Sequence, residues 1–315
     1  MPRNRVDLDR LYAGDRAVVA RAISVVENGE EGQESVLRAI AERTGRCYRV
    51  GITGPPGAGK STLANKLARH YRSTGQRVGI IAVDPTSPFT GGALLGDRVR
   101  MSEVELDEGV YIRSMASRGS LGGLSRKAIE AADVLDAAGN DVVILETVGV
   151  GQSELDIAGA ADTTVVVLVP ESGDSVQAMK AGLMEIADFI VVNKADRAGA
   201  EQAVMAIQMV LHFRPAGTWV PAVATAVASE GKGVAEVAAH IRDHRAHLEQ
   251  TGELVERRKR RLERRIVDLV TDRQKVDFWT TERKTLLMGR VEEVMGGRIS
   301  LYDVADELVE HYHSH

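Results

Sequence analysis

Cysteine is almost missing from this chain of 315 residues, because Cys47 is the only one. A single thiol forms no disulfide within one chain and excludes a metal site built on paired cysteines. No apolar run approaches the roughly 20 residues that cross a bilayer. The first ten residues mix acids with bases and lack the apolar core of a secretory signal. We therefore expect a cytoplasmic protein with no membrane partner.

Neither sign of charge is in large excess, and the formal net charge is −5 at pH 7. This balance gives no overall attraction to nucleic acid, which we do not expect as a partner. Residues 256–265 are strongly basic, but their two glutamates favour a solvent-exposed helix face over a nucleic-acid-binding patch. With 44% hydrophobic and 27% charged residues, the composition is typical of a folded soluble protein and excludes a disordered one.

Short β-branched runs alternate with helical patterns through the middle of the chain. The predicted strands are residues 50–53, 78–83, 141–145, 164–169, 189–193 and 219–223. They lack polar alternation, which is typical of strands buried on both faces of a parallel sheet. The sequence predicts an α/β protein with a doubly wound, mostly parallel sheet at 48–243, an N-terminal helical extension at 1–47 and a C-terminal helical region at 244–315. Apolar positions in that last region fit a dimer interface and fit packing against the central domain equally well.

The strongest motif is G-P-P-G-A-G-K-S, Gly54 to Ser61, between a predicted strand and a predicted helix. It matches the phosphate-loop pattern, in which glycines let backbone N–H groups converge on phosphate oxygens at a helix N-terminus. We expect Lys60 to reach the β- and γ-phosphates and the Ser61 hydroxyl to bind Mg²⁺. A glycine-rich turn with an exposed lysine is the alternative. The predicted phosphate-binding residues are Gly57, Ala58, Gly59, Lys60, Ser61 and Thr62.

Two acids stand at the ends of predicted strands, Asp84 and Glu146. Ligand-binding groups collect at the carboxyl ends of parallel strands, so both acids are candidate Mg²⁺ ligands, direct or through water. A helix cap or a surface acid is the alternative for either one. Asp97 lies in a loop long enough to close over a nucleotide. In E-T-V-G, the Gly149 N–H is a candidate γ-phosphate donor in a switch segment.

The tetrapeptide N-K-A-D, Asn193 to Asp196, directly follows the apolar run F-I-V-V. A carboxylate at Asp196 can accept hydrogen bonds from guanine N1–H and the 2-amino group, whereas adenine offers neither donor. The Lys194 stem can cover one face of the base, and Asn193 can tie neighbouring loops together. Thr225 and Ala226 follow the last predicted strand, where we expect a second base-contacting loop. The sequence therefore predicts GTP rather than ATP as the nucleotide.

Several further strings accompany the phosphate loop and N-K-A-D. They are V-D-P-T-S-P at 83–88, L-G-D-R-V-R-M at 95–101 and E-T-V-G-V-G-Q at 146–152. Together these strings resemble the MeaB/ArgK family. The resemblance implies a P-loop GTPase fold and a homodimeric chaperone that gates cobalamin loading and protects methylmalonyl-CoA mutase. It also implies Mg²⁺ binding by Ser61, Asp84, Asp97 and Glu146, and a further switch with Gln177 and Lys180.

We predict hydrolysis of GTP to GDP and phosphate, with Lys60, Asp97, Glu146 and Gly149 as the catalytic residues. No glutamine directly follows Gly149, so this motif does not supply a water-positioning residue, and slow intrinsic turnover is expected. Members of the resembled family also carry the label of an ATPase or kinase of basic amino-acid (lysine, arginine and ornithine) transport. That function is the alternative.

Overall fold

A seven-stranded sheet lies at the centre of the larger of two structural units. The computed structural model describes residues 6–84, 106–116, 126–147, 153–170, 182–213 and 219–313. The strands are β1 (Tyr48–Thr53), β2 (Val78–Asp84), β3 (Val110–Ala116), β4 (Val142–Thr147), β5 (Thr163–Leu168), β6 (Phe189–Asn193) and β7 (Ala222–Ala226). Their order is β3-β2-β4-β1-β5-β6-β7, and every pairing between them is parallel.

Both faces of the sheet are buried, which explains why the strands read as continuous apolar runs. In β4, Val142 and Ile144 pack into one hydrophobic cluster, whereas Val143 and Leu145 pack into the cluster on the other face. Side chains alternate between faces along a strand, so a strand covered on both sides needs apolar residues at every position. The prediction of a doubly wound parallel sheet is confirmed.

Helices cover the two faces of the sheet. In the first unit they are α1 (Leu8–Tyr12), α2 (Arg16–Asn28), α3 (Gln33–Ile40), α4 (Lys60–Ser73), α5 (Arg126–Ala137), α6 (Ser153–Ala160), α7 (Leu183–Ile186), α8 (Ala200–Leu211) and α9 (Val234–Thr251). Helices α4 and α9 pack on one face of the sheet. The opposite face is covered by α1–α3, α5 and α6, and near β5 and β6 by α7 and α8. The parallel connections and the helices on both faces are those of a doubly wound fold.

Two strand predictions differ from the structure. The sequence did not predict β3, an edge strand whose residues 111–114 are only partly buried and include Arg113, paired with Glu27 of α2. The last strand spans residues 222–226 rather than 219–223. Trp219 instead donates its indole N–H to the Asp188 carbonyl oxygen at 2.7 Å, and Pro221 has no N–H for a sheet ladder.

The second unit spans Val255–His315. Helix α10 (Glu253–Phe278) leads into it, and α11 (Thr281–Met295) and α12 (Leu301–His313) follow. Within the unit, Arg290 of α11 pairs with Glu307 of α12 at 2.8 Å. Among the helices that the structure describes, none is long and apolar enough to span a membrane. The predicted boundary at residue 243 falls inside α9, and the proposed division of the chain stays a prediction.

Candidate nucleotide-binding site

The phosphate-loop motif connects β1 to α4. Its backbone is pressed against the sheet at two glycines with positive φ, Gly54 (136°) and Gly59 (91°). A Cβ atom at Gly54 would lie 2.1 Å from the carbonyl oxygen of Val167 in β5, and one at Gly59 would lie 2.3 Å from Nδ2 of Asn193. Both the conformation and the space therefore require glycine at these positions.

Lys60 is the first residue of α4 and is buried, with 5% of its surface exposed. Its Nζ donates hydrogen bonds to the carbonyl oxygens of Gly54 at 2.8 Å and Pro55 at 3.0 Å. These bonds offset part of the desolvation of the ammonium group and hold it across the loop. The ammonium is thus positioned next to the N-terminus of α4, where the helix dipole also favours an anion.

Ser61, the second residue of α4, meets Glu146 of β4. The Ser61 Oγ donates to Oε1 of Glu146 at 2.5 Å, and only 4% of Glu146 is exposed. A hydroxyl and a carboxylate are the hard oxygen ligands that Mg²⁺ prefers, so the two side chains fit this ion. Beside them, the Thr147 hydroxyl donates to the hydroxyl of Thr53 at 3.0 Å, a buried contact between β4 and β1 that the sequence did not predict.

Asp84 is the last residue of β2, which pairs with β4 through Val83 and Thr147. The backbone of Asp84 therefore lies at the same edge of the sheet as Glu146, although its side chain lies outside the described part of the structure. The predicted residues Asp97, Gly149, Gln177 and Lys180 also fall outside the described residues. Their predicted roles stay predictions.

Asn193, the last residue of β6, joins three segments of the site. Its Nδ2 donates to the carbonyl oxygen of Ala58 in the phosphate loop at 2.8 Å, and its Oδ1 accepts from the N–H of Ala228 at 3.0 Å. The side chain is 2% exposed, so both bonds are shielded from water. The loop after β6, the phosphate loop and the segment after β7 are therefore held together by one amide. Sequence patterns do not reveal Ala228, because it contributes only its backbone.

Lys194 and Asp196 lie in the turn that follows Asn193. Lys194 has φ 57°, the only positive φ of a non-glycine residue in the described part of the chain. Such a conformation costs about 1 kcal/mol for most residues and is concentrated at functional sites. The turn is fixed to β7 because the N–H of Ala195 donates to the carbonyl oxygen of Ala226. Asp196 is exposed, so its carboxylate is open to a ligand.

Thr225 and Ala226 are the last two residues of β7 rather than part of a loop after it. Thr225 is exposed and Ala226 is buried opposite Asn193 in the sheet register. The described site residues therefore gather at one edge of the sheet, the carboxyl ends of β1, β2, β4, β6 and β7. This edge is where doubly wound folds bind their ligands.

The family model described as methylmalonyl Co-A mutase-associated GTPase MeaB matches residues 19–283 of the chain. The chain belongs to this family. It is therefore a GTPase, as the phosphate loop and N-K-A-D predicted, and the predicted family is confirmed.

The chain is also similar to individual proteins along most of its length. A Pyrococcus abyssi protein named as a GTPase is 52% identical over 269 residues, which cover 84% of this chain and 83% of that one. The methylmalonic aciduria type A homolog of Mus musculus is 35% identical over 274 residues, covering 80% of this chain and 66% of that protein. A crystal structure described as LAO/AO transport system kinase has 29% identity and a TM-score of 0.73, and the match covers 96% of this chain and 95% of that one.

Proposed function

We propose that this MeaB-family GTPase requires Mg²⁺ and uses the GTP cycle to act as a chaperone of methylmalonyl-CoA mutase, gating cobalamin loading and protecting the mutase. The proposed Mg²⁺ requirement rests on the contact of the Ser61 hydroxyl with the Glu146 carboxylate, directly beside the phosphate loop. Two oxygen ligands from α4 and β4 meet at this point, so a hard cation bound there would lie next to the phosphates.

The chemistry assigned to the chain is positioning and charge stabilisation. The N–H groups of Gly57 to Thr62 and the ammonium of Lys60 bind phosphate oxygens and stabilise the charge that develops on the transferred phosphoryl group. A bound Mg²⁺ would neutralise further phosphate charge between Ser61 and Glu146. Water attacks the γ-phosphorus in line with the leaving oxygen, and the products are GDP and phosphate.

Guanine recognition is assigned to the turn after β6. In this proposal the exposed carboxylate of Asp196 accepts two hydrogen bonds from the base, and the Lys194 stem covers one face of the base. The amide of Asn193 keeps this turn at a fixed distance from the phosphate loop. Base and phosphate subsites are thereby held in one rigid arrangement, which lowers the entropy lost on binding.

The mutase role rests on the family. The family description names methylmalonyl Co-A mutase, and a mouse relative carries the name of methylmalonic aciduria type A. Gln177 and Lys180 are proposed to couple the nucleotide state to the mutase. No glutamine directly follows Gly149 to position the attacking water, so we expect a slow intrinsic rate that a partner can raise.

The experiment is GTP hydrolysis by purified protein with and without Mg²⁺, and with and without methylmalonyl-CoA mutase. Lys60→Ala should lower Mg²⁺-dependent turnover by about a hundredfold, because one charge contact to the transition state is removed. Lys284→Ala, an exposed lysine of α11, is the matched control and should leave turnover unchanged. Unchanged turnover in Lys60→Ala would refute the site. Turnover unaffected by the mutase would leave the GTPase and remove the chaperone role.

The transport function is the second candidate, since one solved relative is described as a LAO/AO transport system kinase. A kinase transfers the γ-phosphoryl group to an acceptor, whereas a GTPase releases it to water. Incubation with γ-labelled GTP or ATP distinguishes the two functions. Label in free phosphate, with GTP preferred, supports the GTPase proposal, and label retained on protein supports the transport kinase.

We further propose that the chain acts as a cytoplasmic homodimer, with the α10 helix in the interface. Four exposed apolar residues of α10 follow each other at spacings close to whole helical turns. They are Val255, Leu262, Ile266 and Leu269. Sedimentation of the full chain should give a dimer, and Leu262→Lys with Ile266→Lys should shift it to a monomer. An unchanged dimer in that variant would place the interface elsewhere.

A further inference from the structure

A cavity of about 300 Å³ lies in the first unit, away from the phosphate loop. Its lining includes Asn140 and Asp141, directly before β4, and Gln76, just before β2. It is therefore at the amino ends of the strands, whereas the nucleotide site is at their carboxyl ends. Strands of this length separate the two edges by roughly 20 Å.

Three arginines line this cavity: Arg43 and Arg46, both in the connection between α3 and β1, and Arg245 of α9. The Cζ atom of Arg43 lies 4.1 Å from the ring centroid of Tyr12, which is also in the lining. The Cζ atom of Arg245 lies 4.9 Å from the ring of Tyr48. A guanidinium held close to a ring is restricted in position, and the contact with the ring uses none of its N–H groups in a hydrogen bond to an oxygen acceptor.

Few of the N–H donors on these arginines have a protein acceptor. Within the described ranges, neither Arg43 nor Arg46 forms an ion pair with a carboxylate, and Arg46 donates through Nη2 to the carbonyl oxygen of Glu42 at 3.2 Å. Arg245 is paired through Nε with Glu249 at 2.8 Å. A guanidinium carries five N–H donors, so the three groups together retain most of their capacity for a ligand.

The two carboxylates that line the cavity already accept hydrogen bonds from backbone N–H groups. The Asp136 carboxylate accepts from the N–H of Gly45 at 2.6 Å and of Cys47 at 2.9 Å, and Oδ2 of Asp141 accepts from the N–H of Arg77 at 2.7 Å. These bonds occupy acceptor positions on each carboxylate that could otherwise pair with an arginine. The cavity thus has three guanidinium groups against two carboxylates that already accept backbone hydrogen bonds, in a protein whose net charge is −5.

We propose that this cavity binds a small anion that carries carboxylate or phosphate groups, held by Arg43 and Arg46 with Arg245 as the third contact. A planar guanidinium matches both kinds of anion with paired hydrogen bonds. The volume is at the lower end of the range for small-molecule sites, which suits a compact dianion. Nothing in this assignment depends on the mutase or on the rate of GTP hydrolysis.

The test is the melting temperature of the full-length protein, saturated with Mg²⁺ and GDP so that the phosphate loop is filled. The probes are inorganic phosphate and, separately, succinate, each against chloride at matched ionic strength. We expect a saturable rise in melting temperature with at least one probe. Phosphate alone would indicate a phosphate ester as the natural ligand, succinate alone a dicarboxylate, and both probes the shared anionic chemistry.

Substitutions assign the binding to the cavity. Arg43→Gln and Arg46→Gln should each lower the affinity for the probe by about tenfold or more, because each removes a charged group with paired N–H donors. Arg38→Gln is the matched control, since Arg38 is 73% exposed on α3 and lies outside the cavity. Arg43→Lys keeps the charge but lacks the planar guanidinium. Its affinity for the probe should lie between those of Arg43→Gln and the parent protein. Unchanged affinity in the Arg43 and Arg46 variants, or no effect beyond that of chloride, would overturn the proposal.

Discussion

The hydroxyl of Ser61 donates to the buried carboxylate of Glu146 over 2.5 Å, so the first turn of α4 and the end of β4 meet at two oxygen groups. Glu146→Gln keeps the size of the side chain and removes its charge. We expect about tenfold more Mg²⁺ to be needed for half-maximal GTP hydrolysis, because a neutral amide is a weaker ligand than a carboxylate. The measurement is turnover across a Mg²⁺ titration. Glu34→Gln, an exposed acid of α3, is the control, and an identical Mg²⁺ requirement in both variants would contradict the assignment.

The amide of Asn193 bonds to both the phosphate loop and the segment after β7. Asn193→Ala leaves the carbonyl of Ala58 and the N–H of Ala228 without this partner. Because both groups are shielded, the free energy of unfolding should fall by about 1–3 kcal/mol. GDP affinity should also fall, because the phosphate loop and the base-binding turn are no longer joined by the Asn193 side chain. Urea unfolding and GDP titration measure the two effects, and equal losses in the free and the GDP-bound protein would show a purely structural role.

Asp196→Asn tests the assignment of guanine recognition. The amide presents one acceptor and one donor where the carboxylate presents two acceptors, so GTP binding should weaken by about a hundredfold. Xanthosine triphosphate, which exchanges the 2-amino donor for an oxygen acceptor, should bind better to the variant than to the parent. Competition between the two nucleotides gives both affinities. The exposed neighbour Arg197→Gln is the control, and a retained preference for GTP in Asp196→Asn would place base recognition elsewhere.

Residue patterns predicted the parts of the site that side-chain type determines. Phosphate binding requires glycines followed by a lysine, and metal binding requires acids at strand ends, so these residue types could be recognised directly. The strands buried on both faces could be recognised as continuous apolar runs. Two contributions have no such signal. Ala228 contributes only its backbone N–H, and the contact of Thr147 with Thr53 depends on the neighbouring positions of β4 and β1 in the sheet. The edge strand β3 was missed because its partly buried positions tolerate polar residues such as Arg113.

Burial raises the pKa of the Cys47 thiol to about 12 from 9.0, because the thiolate would lose its hydration inside the cluster beneath α1–α3. The folded pKa lies above the unfolded pKa, so the thiol contributes stability below pH 9, and this contribution is lost as pH rises from 9 towards 12.

Above pH 9 the free energy of unfolding should therefore fall less steeply with pH in Cys47→Ala than in the parent. The two slopes should differ by at most about 1.4 kcal/mol per pH unit. Tyr48 and Tyr71, whose pKa values are also raised by burial, remain in both proteins, so the difference between the two pH profiles isolates the thiol. Urea unfolding at several pH values measures it. In the native parent the same thiol should react with a disulfide reagent only after unfolding, since a protonated and buried sulfur is a poor nucleophile. Rapid labelling of the folded protein, or parallel pH profiles for parent and variant, would show that Cys47 is accessible and ionises at its ordinary pKa.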